Sequence, residues 1–427
     1  MKVNVEDVSG VKKKVHVEIP QEDVSKEVDA FYEDLKKKAK IKGFRPGKVP
    51  RYILERHFKD YAKAEVLQKL IENSYPKALS EVALSPVSQP VIDPQEFENG
   101  KPFHYVAIVE IKPDIQPEGY VGMTLEGKKE EASEDEVETR LKNLQNLHAQ
   151  LRTVPEARSV GNGDFVIVDY EASMNGKPVE EGKGIDFTVE VGSGRFIPAF
   201  EENLVGLRPE EEKTFDVSFP EDYGYQTWAG KIISFHVKIK EIKEKVLPPL
   251  DDEFAKDLGD YASLDALRTK LKEDIQKEKD RQLDNQLKDQ VVDQLLKNNS
   301  FEVPESLVEE QSKALVSDTK MRLASQGMDF KNLGVSEEKL QGDYKEMAEK
   351  HVKTFLILEK IATREGITVT DEEVEGRLRE ISERTRQKFE VVKRYYEKNE
   401  LLPEMKAKII SDKTLDFLLG KANITYA

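Results

Sequence analysis

Between Gly163 and about Glu244 the chain changes texture, and that change limits which folds are open to it. Short runs rich in β-branched and aromatic residues, such as Val166-Ile167-Val168-Asp169-Tyr170 and Phe235-His236-Val237, are separated by turn signals at Asn175-Gly176, Gly192-Ser193-Gly194 and Gly206. This texture reads as a small antiparallel sheet domain. It stands inside a chain that otherwise reads as helix from Ser133 onward, so one uniform fold is excluded. A length of 427 residues predicts about three domains. The 38% of hydrophobic residues suffices for real cores, while 35% charged residues suits long, solvated helices that bury little.

The N-terminal part mixes both periodicities. Val15, Val17 and Ile19 alternate with His16 and Glu18 as a half-buried strand would. Val24, Val28, Phe31, Leu35 and Ala39 then recur at helical spacing, with Glu22 and Asp23 in the first turn and lysines in the last, as the helix dipole favours. This helix is expected to end at Gly43. Pro50 can open the next one as its first residue, carrying Tyr52, Ile53, Leu54 and Phe58, and another is expected from about Glu65 to Leu84. Phe103, Tyr105, Ala107, Val109 and Ile111 alternate as a second long strand.

The two glycines and two prolines of Gly43-Phe44-Arg45-Pro46-Gly47-Lys48-Val49-Pro50 can continue neither helix nor central strand, so the segment is an exposed, partly stiffened loop. Around it stand ten basic residues, Lys36, Lys37, Lys38, Lys40, Lys42, Arg45, Lys48, Arg51, Arg56 and Lys59, against Glu55 and Asp60, in a chain whose net charge is −16. A basic island on an acidic protein is a local electrostatic footprint, and phosphate backbone is the commonest partner for one. A solvated lysine-rich helix end is the plainer alternative. Phe44 argues against it, because a bulky ring between Gly and Arg at a loop tip is placed for a partner's surface or a base. A nucleotide-binding P-loop is excluded: three residues separate the glycines, Val49 replaces the magnesium-binding hydroxyl, and a helix precedes the loop.

Residues 114–155 begin extended and become one helix at Ser133-Glu134-Asp135-Glu136, a capping box, followed by the stripe Val137, Leu141, Leu144 and Leu147 or Leu151. A second capping box opens at Thr370-Asp371-Glu372-Glu373, and the likeness places both helices in one helical body. After Pro248-Pro249 helices are expected over 263–299, 304–326, 336–365, 370–388 and 403–419, with thin apolar stripes that suit extended arms. The expected fold class is multidomain α+β. It comprises an N-terminal α+β domain (1–113), a linker with the first helix of the helical body (114–155), an inserted antiparallel β domain (156–244) and an extended all-α C-terminal domain with arms (245–427).

Several chemistries are excluded. With no cysteine there is no disulfide, thiolate metal site or cysteine nucleophile, and a reducing cytosol is compatible. The six histidines (16, 57, 104, 148, 236, 351) lack ligand spacing, so neither metal nor cofactor is expected. Nothing pairs a nucleophile with a base for hydrolysis. The start Met1-Lys2-Val3-Asn4-Val5-Glu6 has no apolar leader, and no run reaches the about 18 apolar residues of a membrane span, so a soluble cytoplasmic protein is expected.

The octapeptide at Gly43 resembles the ribosome-docking signature of the trigger factor family. The series Val166 to Tyr170, Gly182, Asp186-Phe187, Val191 to Glu201, Phe219 to Tyr225 and Phe235-His236-Val237 resembles an FKBP-type peptidyl-prolyl isomerase domain. The order of basic N-terminal domain, inserted FKBP-like domain and helical C-terminal body matches the trigger factor family over essentially the whole chain. The resemblance implies docking by Phe44, Arg45 and Lys48, positioned by Gly43, Pro46 and Gly47. It implies a proline pocket walled by Tyr170, Phe187, Phe196, Ile197, Phe200, Tyr223 and Phe235, with Tyr225 nearby and Phe196 and Phe235 as the main apolar walls. Taken singly, each ring also fits the core of a small sheet domain. Val179 stands where such domains usually carry an aromatic, before the acidic match Glu180; Phe200 replaces a usual tryptophan; and Trp228, the one tryptophan, is expected to be a poor pocket floor.

Prolyl isomerisation breaks no bond between heavy atoms. Its barrier of about 18 to 20 kcal/mol is lost amide resonance, and the planar amide is the more polar state. A desolvating apolar pocket therefore favours the twisted form. The resemblance implies an ATP-independent chaperone with this activity. Its partners would be the ribosome at the exit-tunnel rim, through ribosomal protein and rRNA phosphates, and nascent or unfolded polypeptides, with no membrane; it would be a monomer or weak homodimer. Two rivals stay open: a free cytosolic prolyl isomerase with helical substrate arms, and a nucleic-acid-binding adaptor.

Overall fold

The computed structural model describes residues 1–42, 44–45, 47–98, 100–154, 158–221, 223, 227–328, 330 and 336–426, with side chains other than those of 180 and 181. It forms two compact units, residues 1–128 with 284–427, and residues 129–283.

In the first unit, β1 (Lys2–Asp7) and β2 (Lys12–Ile19) pair antiparallel, and α1 (Gln21–Lys38), α2 (Arg51–His57) and α3 (Lys59–Glu81) follow. Then come β3 (Val91–Pro94) and β4 (Phe103–Glu110), giving a four-stranded antiparallel sheet of order β1-β2-β4-β3. The alternation of β2 and β4 buries Val15, Val17, Ile19, Phe103, Tyr105, Ala107 and Val109, and Val24, Val28, Phe31, Val66 and Leu70 of the helices join the same core. The buried Tyr105 hydroxyl meets Ser74 Oγ at 2.9 Å, so α3 satisfies it.

Helix α1 ends at Lys38, five residues before the expected Gly43. Ala39 turns extended (φ −67°, ψ 132°) and is buried, and the Gly47 N–H returns to cap the Lys36 carbonyl at 3.0 Å. The loop thus serves as its helix's C-cap. Pro50 stands just outside α2 rather than as its first residue, and α3 starts at Lys59 rather than near Glu65.

Past the extended segment containing β5 (Thr124–Gly127), the second unit begins with α4 (Glu134–Leu147). Both halves of its capping box form: Ser133 Oγ accepts the Glu136 N–H at 3.3 Å, and Glu136 accepts the Ser133 N–H at 2.8 Å. Strands β6 (Gln150–Thr153), β7 (Phe165–Met174), β8 (Lys177–Glu190), β9 (Glu212–Ser218) and β10 (Ile232–Val246) form an antiparallel sheet in which β10 pairs with β6, β7 and β9. Helix α5 (Pro198–Leu204) packs on it, sealing Phe200 and Leu204 into the core. Helix α6 (Asp252–Leu258) and the start of α7 (Leu264–Asn298) bury Phe254, Ala255 and Leu267 against Leu141 of α4.

The remaining helices lie in the first unit: α8 (Glu305–Ser325), α9 (Glu337–Asp343), α10 (Lys345–Glu365), α11 (Asp371–Thr385), α12 (Phe389–Lys398) and α13 (Leu402–Gly420). The helix expected over 336–365 is interrupted at Tyr344, whose hydroxyl pairs with Thr319 at 2.9 Å. Thin stripes do not describe α10, which buries seven side chains including Val352, Leu356, Ile357 and Ile361. The Thr370 capping box forms as well, but α11 and α4 belong to different units, not to one body.

The last strand, β11 (Asn423–Tyr426), pairs in parallel with β5. The segment is also held by side-chain amides of α7. Gln290 accepts the Glu126 N–H at 2.9 Å and donates to the Glu126 carbonyl at 2.7 Å, Gln294 donates to the Thr124 carbonyl at 2.7 Å, and Asn299, just past the helix end, brackets Glu118 at 2.8 and 3.0 Å. A carboxamide presents N–H and C=O side by side, as a neighbouring strand does, so a helix face here takes the place of a sheet edge.

Candidate functional site

The aromatic residues expected in the second unit come together on one sheet. β7 carries Tyr170, β8 carries Phe187, the start of α5 carries Phe196, Ile197 and Phe200, and β10 carries Phe235. Ring centroids lie 5.5 Å apart for Tyr170 and Phe187, 5.3 Å for Phe187 and Phe196, 4.9 Å for Phe196 and Phe200, and 5.2 Å for Phe200 and Phe235. Edge-on and tilted contacts of this kind add to area burial and fix ring orientation. Phe200 and Phe235 have no exposed surface, whereas Tyr170, Phe187 and Phe196 are only half-buried. Phe235, expected as a main apolar wall, is sealed inside the ring cluster. Tyr223 joins through Phe219, at 4.8 Å.

Trp228 packs into the same cluster. Its indole packs on Phe219 at 5.2 Å and Phe235 at 5.9 Å, so the ring expected to be a poor floor belongs to the cluster. Val179, at the position where such domains usually carry an aromatic, is half-buried. Tyr225 and the Glu180 side chain lie outside the described residues.

Sequence reasoning missed Gly184. The β7–β8 register slips between Val168 and Tyr170, setting Tyr170 opposite Gly184, where an added Cβ would lie 2.3 Å from Tyr170 Cε1. The Tyr170 ring packs closely against the bare Gly184 backbone. The signal was present in the alternate glycines Gly182 and Gly184, which share one strand face. Burial pushes the Tyr170 phenol up from its ordinary value, so its hydroxyl stays protonated and can donate. Gly184→Ala is expected to unseat the ring, destabilising the domain by about 1–3 kcal/mol and lowering isomerase activity. Fluorescence of Trp228, the chain's only tryptophan, reads unfolding of this domain alone. An unchanged midpoint with full activity would refute this seating of the ring.

Glu201 closes the Val191 to Glu201 run and lies one residue past Phe200. It is 1% exposed, and its carboxylate accepts the Gly194 N–H at 2.9 Å, the Phe196 N–H at 3.0 Å and the Ser193 hydroxyl at 3.4 Å. Burial alone would raise its pKa, but backbone N–H groups of Gly194, Phe196, Gly192 and Ser193 outweigh that and hold the carboxyl below its ordinary range.

In the first unit, the basic loop is stitched by its own backbone. Phe44 donates to Ile41 O at 3.1 Å and Lys48 to Arg45 O at 3.0 Å, while the fully buried Val49 anchors the exit. Phe44 is 38% exposed. Gly47 takes φ +80°, which glycine adopts without strain; Gly43 and Pro46 lie outside the described residues. Of the ten basic residues, Lys36 pairs with Glu33, Lys38 with Asp34, and Arg51 with both Asp29 and Glu55 while stacking over Tyr32 at 5.3 Å. The other seven, Lys37, Lys40, Lys42, Arg45, Lys48, Arg56 and Lys59, make no ion pair among the described residues. Those residues also contain no group of three or more potential metal ligands, and no helix long and apolar enough to cross a membrane.

Residues 156–240 match the family described as FKBP-type peptidyl-prolyl cis-trans isomerase, so the ring cluster lies in an isomerase domain carried within a larger chain. Residues 1–144 match "Bacterial trigger factor protein (TF)" and residues 263–420 its C-terminus. The chain is 39% identical over 425 residues to the trigger factor of Geotalea uraniireducens (strain Rf4), covering 99% of this chain and 98% of that one. It is 40% identical over 428 residues to that of Geobacter sulfurreducens, covering 100% and 99%. The chain belongs to the trigger factor family. A solved structure of the trigger factor chaperone shares the fold with a TM-score of 0.55, at 21% identity, over 99% of this chain and 100% of that one.

Proposed function

We propose that the chain is a cytoplasmic, ATP-independent chaperone that docks at the ribosomal exit-tunnel rim, holds nascent and unfolded polypeptides, and speeds their X-Pro isomerisation. Docking falls to Phe44, Arg45 and Lys48, shaped by Gly43, Pro46 and Gly47, meeting ribosomal protein and rRNA phosphates. The division of labour is 1–113 for docking, 114–155 as linker and first helix, 156–244 for isomerisation and 245–427 for client holding. In support, the cations least committed to the fold lie at and around the exposed Phe44.

The observation that carries the isomerase reading is the arrangement of rings, with a sealed floor at Phe200 and Phe235 and open walls at Tyr170, Phe187 and Phe196. A proline ring seated there loses water from its amide, which destabilises the planar state relative to the twisted one. Ile197 and Tyr223 complete the pocket, and the Tyr170 hydroxyl supplies a donor. For clients, a cavity of about 620 Å³ is lined by Ile381, Tyr396, Leu401 and Met405 with charged neighbours, and Met321, Met347 and Tyr395 are exposed on helices of the same unit. Apolar patches scattered among charges favour weak, nucleotide-free holding.

Removing residues 156–244 is expected to leave a folded protein that still suppresses aggregation of an unfolded client without ATP. The Val154 N–H donates to Ile242 O at 2.8 Å, so the chain enters and leaves the domain side by side and can be rejoined there. Complete loss of holding in a variant shown to be folded would contradict the division of labour. Co-sedimentation with empty ribosomes separates this reading from a free isomerase and from a nucleic-acid adaptor.

A further inference from the structure

We propose that Glu201 is a positioning residue for the isomerase pocket, holding the Gly192–Phe196 turn by its backbone so that the Phe196 ring forms the pocket wall. This rests on the isomerase reading and adds to it a residue that need not touch substrate.

The argument starts from a cost. A carboxylate 1% exposed needs several hydrogen bonds to stay ionised, and Glu201 makes no ion pair among the described residues. Its partners are instead peptide N–H groups of one turn, with Gly194 and Phe196 at 2.9 and 3.0 Å on its two oxygens. Gly192 and Gly194 take φ +83° and +66°, a path that curls successive N–H groups inward. The residue just before it on the same helix turn, Phe200, is the ring on which Phe196 rests at 4.9 Å. One short helix therefore fixes the wall twice, from below through a ring and from behind through a carboxylate. The turn's glycines supply little packing of their own; the turn also closes through Ser193, whose N–H meets the Glu190 carbonyl at 3.3 Å and whose Oγ accepts the Arg195 N–H at 3.2 Å, but the Phe196 N–H itself goes to the carboxylate.

The test measures isomerase activity on proline peptides in the full chain carrying Glu201→Gln, Glu201→Asp, Phe196→Ala, or Phe196→Ala with each Glu201 change. The amide isostere turns a donor toward the N–H groups, and aspartate withdraws the charge by one methylene, so each is expected to lower kcat/KM about tenfold with Trp228 fluorescence and far-UV dichroism native. In the double variants the loss should be no larger than in Phe196→Ala alone, because Glu201 acts through that ring; additive losses would overturn the proposal. In the wild type, the Gly194 and Phe196 amides are expected to exchange slowly with solvent and to move on either substitution. Rapid exchange in the wild type overturns the proposal without any variant having to fold. Shifted amides with undiminished activity overturn it too. Wild-type chain without isomerase activity would instead sink the reading beneath it, and the amide measurement would still stand.

Discussion

Replacing Phe44, Arg45 and Lys48 together by alanine is expected to abolish association with empty ribosomes while isomerase activity stays at the wild-type level. The loop's fold survives such a change, because its path depends on backbone hydrogen bonds to Ile41, Arg45 and Lys36 and on buried Val49, none of which needs those three side chains. Affinity should fall steeply with salt in the wild type, since each cation that meets a phosphate releases about one counterion, and removing Arg45 and Lys48 should flatten the log–log slope by about 1.5 to 2. Arg51→Ala supplies the contrast. Its guanidinium is already engaged by Asp29 at 2.6 Å and Glu55 at 2.8 Å, so it has little charge to offer and should leave the slope nearly unchanged. Retained binding in the triple variant would sink the docking assignment, and an affinity indifferent to salt would point to protein-only contacts.

What the sequence made legible was local. Alternation on β2 and β4, the two capping boxes and the turn glycines each depend on residues within a few positions, and all of them form. Features that depend on distant partners could not be read. β5 and β11 have four residues each and pair across about 300 positions, and part of what holds β5 is the amides of Gln290 and Gln294, which on a helix surface look like ordinary solvated residues. Helix α1 stops early because Ala39 finds core and Gly47, eleven residues on from Lys36, caps the Lys36 carbonyl, a tertiary effect that outweighs lysine-rich helix propensity. At the pocket, residue types and positions were visible, but their depth was not. Only packing separates a ring that is floor from one that is wall, and only a backbone approach reveals why Gly184 cannot carry a side chain.

That distinction of depth yields the sharpest expectation for the pocket. Phe196→Ala and Phe235→Ala remove the same side chain from the same cluster, yet they should fail in different ways. Phe196 is half-buried on a turn whose backbone Glu201 holds, so its loss opens the wall, lets water reach the substrate amide and restores solvation of the planar state. Activity should drop tenfold or more, about 1.4 kcal/mol or above in the barrier, with the unfolding midpoint of the domain little changed. Phe235 has no exposed surface and touches Tyr170, Phe200, Phe215, Phe219 and Trp228. Truncating it leaves a cavity in the middle of that cluster, a change that costs about 3–5 kcal/mol in a close-packed core and is enough to unfold a small sheet domain at ordinary temperatures. An uncatalysed X-Pro bond takes about 10 to 100 s to isomerise, so both losses are readily seen in a refolding assay, and Trp228 fluorescence tells them apart. A folded, inactive Phe235→Ala domain would place that ring in the wall after all, and an unfolded Phe196→Ala domain would make the wall part of the core.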